Sequence, residues 1–142
     1  MMEVAFHLRV GDRDAYVCRL LRKAYLKGAR VHVLCDSADV ESLDRSLWLM
    51  AQGEFLPHAR DTAPERVLRR TPIVLGTRLP AVDGLDVLIN LSDTPVLEVD
   101  DLRIIEVVGS APEALEKARE RWRLYKQAGT EPVAHDLSAA RA

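Results

Sequence analysis

The chain has 142 residues, 48% of them hydrophobic and 30% charged, enough to bury a core of its own. Its formal net charge of −2 excludes a global basic field that would draw it to nucleic acid or an anionic membrane, so any such role has to be local or carried by a partner. No apolar run approaches bilayer-spanning length, and the opening MMEVAFHLRV is too short and too charged for a signal peptide; the expectation is a soluble, cytoplasmic protein.

Glu3 to Arg9 alternates Val4, Phe6 and Leu8 with Ala5, His7 and Arg9, the period of a strand. Gly11 and Asp12 break it, and Asp12 is placed to cap a helix running to about Lys27, with Val17, Leu20, Leu21, Ala24 and Tyr25 on its apolar face and Gly28 at its end. Val31 to Cys35 is a second, mostly apolar strand. Asp36 or Ser37 then opens a helix to about Ala51, with Val40, Leu43, Leu47 and Met50 turned inward. Cys18 and Cys35 lie inside these apolar segments without C-x-x-C spacing and read as reduced core residues.

Strand, helix, strand, helix with short connections predicts an α/β fold: a single open, mainly parallel twisted sheet with helices on both faces, Rossmann-like, in one domain over residues 1–129. Gly53 to Arg70 lacks a clear period and is expected to cross the surface as a loop. Ile73 to Leu75, Val87 to Leu91 and Ile104 to Val108 are further strands, with a turn at Val82-Asp83-Gly84-Leu85. Pro95 to Asp101 is a connection too short to be assigned a helix. Residues 130–142 are expected to form a loosely held tail.

The last helix, Ser110 to Gly129, is the best signalled. Ser110 and Glu113 have capping-box spacing, Pro112 sits in the first turn, and Gly129 is placed for a left-handed C-cap. Ala111, Leu115, Ala118, Trp122 and Tyr125 line one stripe, and Arg119, Arg123 and Lys126 line a second beside it. Trp122 falls on the border of the two. An indole flanked by guanidiniums on a rigid helix suits an acidic peptide ending in an apolar residue. Basic residues in a helix's last turns also follow from the macrodipole alone, and a Trp at helical spacing equally suits a core.

An open α/β sheet invites a nucleotide, but the strand-to-helix turns contain neither G-x-G-x-x-G nor G-x-x-x-x-G-K-[ST]. Asp12, Asp36 and Asp93 set negative charge where a phosphate would sit; they suit Mg²⁺ chemistry or, for Asp12 and Asp36, plain helix capping. Cys35 ends a strand as phosphatase nucleophiles do, but acids rather than an Arg follow it. Of the four histidines, His7 and His32 could meet on neighbouring strands, with no third metal ligand positioned. No catalytic group, cofactor or metal is therefore assigned. A second surface candidate is Trp48, Leu49 and Met50 with Phe55, Leu56 and Pro57, apolar residues in excess of one narrow helix face, which either form an interface or cover one another.

FHLRV near the start, SLDRSLWLMAQGEFLPH in the middle and ARERWRLYKQAG near the end resemble the chi subunit family of the bacterial DNA polymerase III holoenzyme. The L-D-x-x-L-W run followed by F-L-P-H, with A-R-E-R-x-x-x-Y, carries the likeness from the first strand to Gly129; residues 59–101 add little beyond their strand pattern. The resemblance implies a non-catalytic, clamp-loader-associated accessory subunit with a nucleotide-binding-like fold that binds no nucleotide. It implies binding of the acidic, Phe-terminated tail of single-stranded-DNA-binding protein through Arg119, Trp122 and Arg123, with Lys126 on the same stripe. Better-known members have Tyr and Lys where this chain has Trp122 and Arg123, which keeps aromatic and cationic character. It further implies a psi-binding region at Trp48, Phe55 and Pro57, beside Leu56, which another clamp-loader subunit or a helicase could also use. The competing class is a flavodoxin-like enzyme or small-molecule binder using Asp12, Asp36 and Asp93.

Overall fold

The structure is a computed structural model that describes residues 2–50, 55–81, 84–99 and 101–138. In chain order the elements are β1 (Glu3–Val10), α1 (Arg13–Leu26), β2 (Val31–Leu34), α2 (Ser37–Met50), β3 (His58–Arg60) and α3 (Glu65–Arg70). There follow β4 (Ile73–Gly76), β5 (Val87–Asn90), β6 (Arg103–Gly109), α4 (Pro112–Gln127) and β7 (Val133–Asp136). The seven strands among the described residues join one parallel sheet in the order β3-β4-β2-β5-β6-β1-β7. The α/β parallel architecture expected from the sequence is the one observed.

Alternation in the central strands splits the core between the two faces. Val31, Val33, Ile73, Leu75, Ile89, Ile105 and Val107 pack on one face with Val17, Cys18 and Leu21 of α1 and Val40, Leu43 and Leu47 of α2. Val4, Phe6, Leu88, Ile104 and Val108 pack on the other with Ala118 and Tyr125 of α4. Each fully buried side chain of this kind contributes roughly 1.5–3 kcal/mol. Strand β1 changes phase near its end: Leu8 still packs with the α4 face, whereas Val10 belongs to the α1–α2 face. The cause is Arg9, whose φ of 58° lies in the left-handed region, together with a register shift against β6 between His7 and Val10. Such a conformation costs a non-glycine residue on the order of 1–3 kcal/mol.

Of the caps expected from the sequence, the two aspartate caps form and the capping box of the last helix does not. Asp12 accepts from the Ala15 N–H at 3.1 Å, and Asp36 accepts from the Asp39 N–H at 2.8 Å, so both aspartates cap helices. Helix α4 begins one residue later than the capping box requires. Its N-cap is Ala111, with no side-chain hydrogen bond, and Pro112 takes the first helical position. The fixed φ of Pro112 starts the helix without a Ser110 cap. Gly129, at φ 92°, closes α4 with the Thr130 N–H bonded to the Tyr125 carbonyl.

Three further expectations change. The stretch from 53 to 70, expected to be a loop, contains β3 and α3; elements of three and six residues are too short to show a period. The tail from 130 to 142 contributes β7, paired with β1 from Ala5↔Val133 to Leu8↔Asp136. Its residues are exposed, so backbone pairing rather than an apolar pattern holds it, and the sequence shows no signal for that. His7 and His32 do not meet, because β5 and β6 lie between β1 and β2; His7 instead faces His135 on β7, ring centroids 5.4 Å apart. Ala51, Gly53, Val82, Asp83 and the last four residues, on which parts of these expectations fall, lie outside the described residues.

Candidate functional site

At the β7 edge of the sheet, α4 crosses β1 and leaves a groove of about 320 Å³. Phe6 and Leu8 of β1 and Leu115, Ala118 and Trp122 of α4 make it apolar, Ala134 of β7 walls it, and Arg9 and Arg119 line it as cations. The Trp122 ring is tilted on Phe6 at a centroid distance of 5.2 Å, and Phe6 in turn meets Tyr125 edge-on at 5.9 Å. The indole is therefore braced from behind while its outer part stays half-buried at the groove.

Not all of the basic stripe reaches this groove. Arg119 lines it; Arg123 forms an ion pair with Glu120 on the exposed flank, and Lys126 is exposed without lining it. Arg9, Phe6, Leu8 and Ala134 belong to the groove and were missed in sequence as site residues, because β1 meets α4 only through its pairing with β6, and Ala134 joins them only through the pairing of β7 with β1. The β1 alternation set Phe6 and Leu8 on one face of a strand, and nothing marked Ala134.

Helix α4 is held in place by a buried polar network. Glu106 of β6, fully buried, accepts from Arg121 Nε at 3.0 Å, from the Tyr125 hydroxyl at 2.7 Å and from Asn90 Nδ2 at 2.8 Å. The Tyr125 oxygen also accepts from the Val96 N–H at 2.9 Å. Burial pushes the Glu106 carboxyl above its ordinary range, and Arg121 with the two neutral donors opposes that push. These contacts seat the face of α4 next to the one that carries Arg119 and Trp122.

The second candidate surface lies at the opposite edge. Trp48 of α2 and Phe55 are both more than half exposed and stack with centroids 5.6 Å apart, and Trp48 meets His58 of β3 at 5.1 Å. Asp44 accepts from His58 at 2.9 Å and from Arg60 at 2.9 Å, which braces the base of this patch. Leu49 is exposed and Pro57 partly so, whereas Leu56 is turned into the core and leaves the surface set.

The acidic residues at the carboxyl edge of the sheet do not form one cluster. Asp36 and Asp93 share a cleft, and Asp93 pairs with Lys117 at 3.2 Å; Asp12 does not line that cleft. Cys35 is buried there, and its thiol is pushed up to about 12 by burial and by Asp39 and Asp36, which suits packing rather than nucleophilic attack.

The family model described as DNA polymerase III chi subunit, HolC, matches residues 1–133, nearly the whole chain. The chain belongs to that family. A family relative from Pseudomonas aeruginosa, DNA polymerase III subunit chi, is 33% identical over 114 residues, 79% of this chain and 78% of that one. Chi is an accessory subunit of DNA polymerase III, which places the chain among the proteins of DNA replication. Among solved structures, a variant C-terminal domain of S. cerevisiae Dbp5 bound to a Gle1 variant and IP6 superposes with a TM-score of 0.58 at 8% identity, over 94% of this chain and 90% of that one. That likeness is one of fold alone. No helix among the described residues is long and apolar enough to cross a membrane.

Proposed function

We propose that this chi-family chain acts by binding alone, linking the clamp-loader side of the polymerase assembly to single-stranded-DNA-binding protein. The groove beside Trp122 takes the acidic, Phe-terminated C-terminal tail of that protein, and the Trp48–Phe55–Pro57 surface takes psi, another clamp-loader subunit or a helicase. The observation that carries the reading is the combination of an apolar, aromatic-braced groove with Arg119 on its lining. A terminal phenyl ring fills the apolar part, and the planar guanidinium meets carboxylates in a forked geometry. Arg123 and Lys126, outside the groove, add positive potential for the upstream aspartates.

A short peptide loses ordering entropy on docking, so its affinity is on the order of micromolar. Several tails on one coated strand raise the effective concentration and strengthen capture. Fluorescence anisotropy with a labelled acidic peptide ending in Phe tests the reading. Arg119→Ala and Trp122→Ala are each expected to weaken binding by tenfold or more, on the order of the loss of one charge-assisted contact or one aromatic anchor. Binding unchanged by both substitutions would remove the groove from the interaction.

A further inference from the structure

The groove has a second cation and an outer wall, and both depend on the chain beyond α4. Ala134 lines it from β7, which is held to β1 by parallel pairing and by the Leu137 N–H bonded to the Leu8 carbonyl at 3.0 Å. Arg9 lines the same groove from β1. Its backbone sits at φ 58°, at the register shift, the kind of outlier that aims a side chain where a regular strand would not. The guanidinium is ion-paired with Asp136 of β7, and the Asp136 carboxylate is itself fixed by the Ser138 hydroxyl at 2.7 Å and the Ser138 N–H at 3.1 Å. Arg9 and Asp136 side chains are each partly exposed, so the pair stands at the groove rather than inside the core. Asp136 also lies past residue 133, where the family match ends.

We propose that Arg9, positioned by Asp136, binds the α-carboxylate at the end of the docked peptide, and that β7 is the wall that closes the groove around the last residue. This rests on the reading of the groove as the site for an acidic, Phe-terminated peptide. Two guanidiniums lining an otherwise apolar groove of about 320 Å³ match a ligand whose terminal residue joins one apolar ring to one carboxylate. Asp136 engages the guanidinium through Nη1 and holds its fork in one orientation, which lowers the ordering cost of a second carboxylate contact at the remaining N–H groups.

The test is anisotropy with two peptides of the same acidic sequence, one ending in free Phe and one in Phe amide, against the wild-type chain, Arg9→Gln, Arg9→Lys, Ala134→Leu and Arg119→Ala. Arg9→Gln is expected to weaken the free-acid peptide by about tenfold, the size of one charge-assisted hydrogen bond, and the amide by much less. Arg9→Lys restores part of the loss. Ala134→Leu, a change on an exposed strand, weakens both peptides by filling the groove. Thermal unfolding of each variant at the wild-type temperature excludes a folding effect. If the wild type fails to bind the free-acid peptide, the reading of the groove falls. If it binds and needs Arg119, yet Arg9→Gln costs both peptides equally or neither, the role of Arg9 falls and the reading stands.

Discussion

Trp122 marks how far the role of a side chain follows from its place on a helix. The three- and four-residue spacing sets it between an apolar and a basic stripe, and in the structure its ring leans on Phe6 while lining the groove. The same spacing treats Arg119 and Arg123 alike, yet Arg119 lines the groove and Arg123 pairs with Glu120. Periodicity gives a direction about the helix axis, and the neighbour met in that direction belongs to another element. His7 is a second case. Burial, His135 and Arg103 lower its pKa from 6.5 to about 4, and Nδ1 of its ring meets the Tyr16 hydroxyl at 2.5 Å. An imidazole with a folded pKa below its unfolded value binds fewer protons when folded. Its contribution is therefore complete above pH 6.5 and is lost as pH falls from 6.5 toward 4. Urea unfolding at steps across that range is expected to show stability falling with acidification, with a shallower fall in His7→Gln. A slope unchanged by the substitution would remove His7 as a source.

Helix α4 was legible from end to end except at its start, where Pro112 replaces the capping box, and on its third face, where Arg121 turns inward. A buried arginine is the exception on a helix whose other basic residues face solvent, and it becomes intelligible only once Glu106 of β6 stands opposite at 3.0 Å. Removing one partner of such a pair leaves the other charge buried and unpaired. Arg121→Ala is therefore expected to cost about 3–5 kcal/mol in urea unfolding. Arg119→Ala, two residues earlier and exposed, is expected to stay within about 0.5 kcal/mol. Equal effects would mean that the Glu106 network does not hold the helix. The short elements β3 and α3 and the exposed β7 escaped sequence reading for one reason. Three and six residues show no period in β3 and α3, and the exposed β7 becomes a strand only through its pairing with β1, so none of the three carries a readable pattern of its own.

Across the whole molecule, the sheet separates the two candidate surfaces. The groove uses β7 and the Trp48 patch rests against β3, the first and last strands of a seven-stranded sheet. Six spacings of about 4.8 Å put them on the order of 30 Å apart, beyond the reach of direct contact or of screened charge. Trp48→Ala and Phe55→Ala are accordingly expected to leave tail-peptide affinity within about twofold of wild type, measured by the same anisotropy titration, since distant sites act independently. A larger loss would mean that the two surfaces are coupled through the sheet.

The amino-acid order contains the period-two and period-3.6 patterns, the caps at Asp12 and Asp36 and the turn at Gly129. Through these it specified the parallel α/β architecture and the helix that carries Arg119 and Trp122. Those are local properties, decided by residues within one or two turns of each other. The membership of the groove was settled by strand order, which lays β1 between β6 and β7 and so brings Arg9 and Ala134 beside a helix far from Arg9 along the chain. Long-range pairing of that kind is made by backbone hydrogen bonds and packing, which leave no apolar pattern in the exposed β7 and do not tell the alternating β1 which strand will lie beside it.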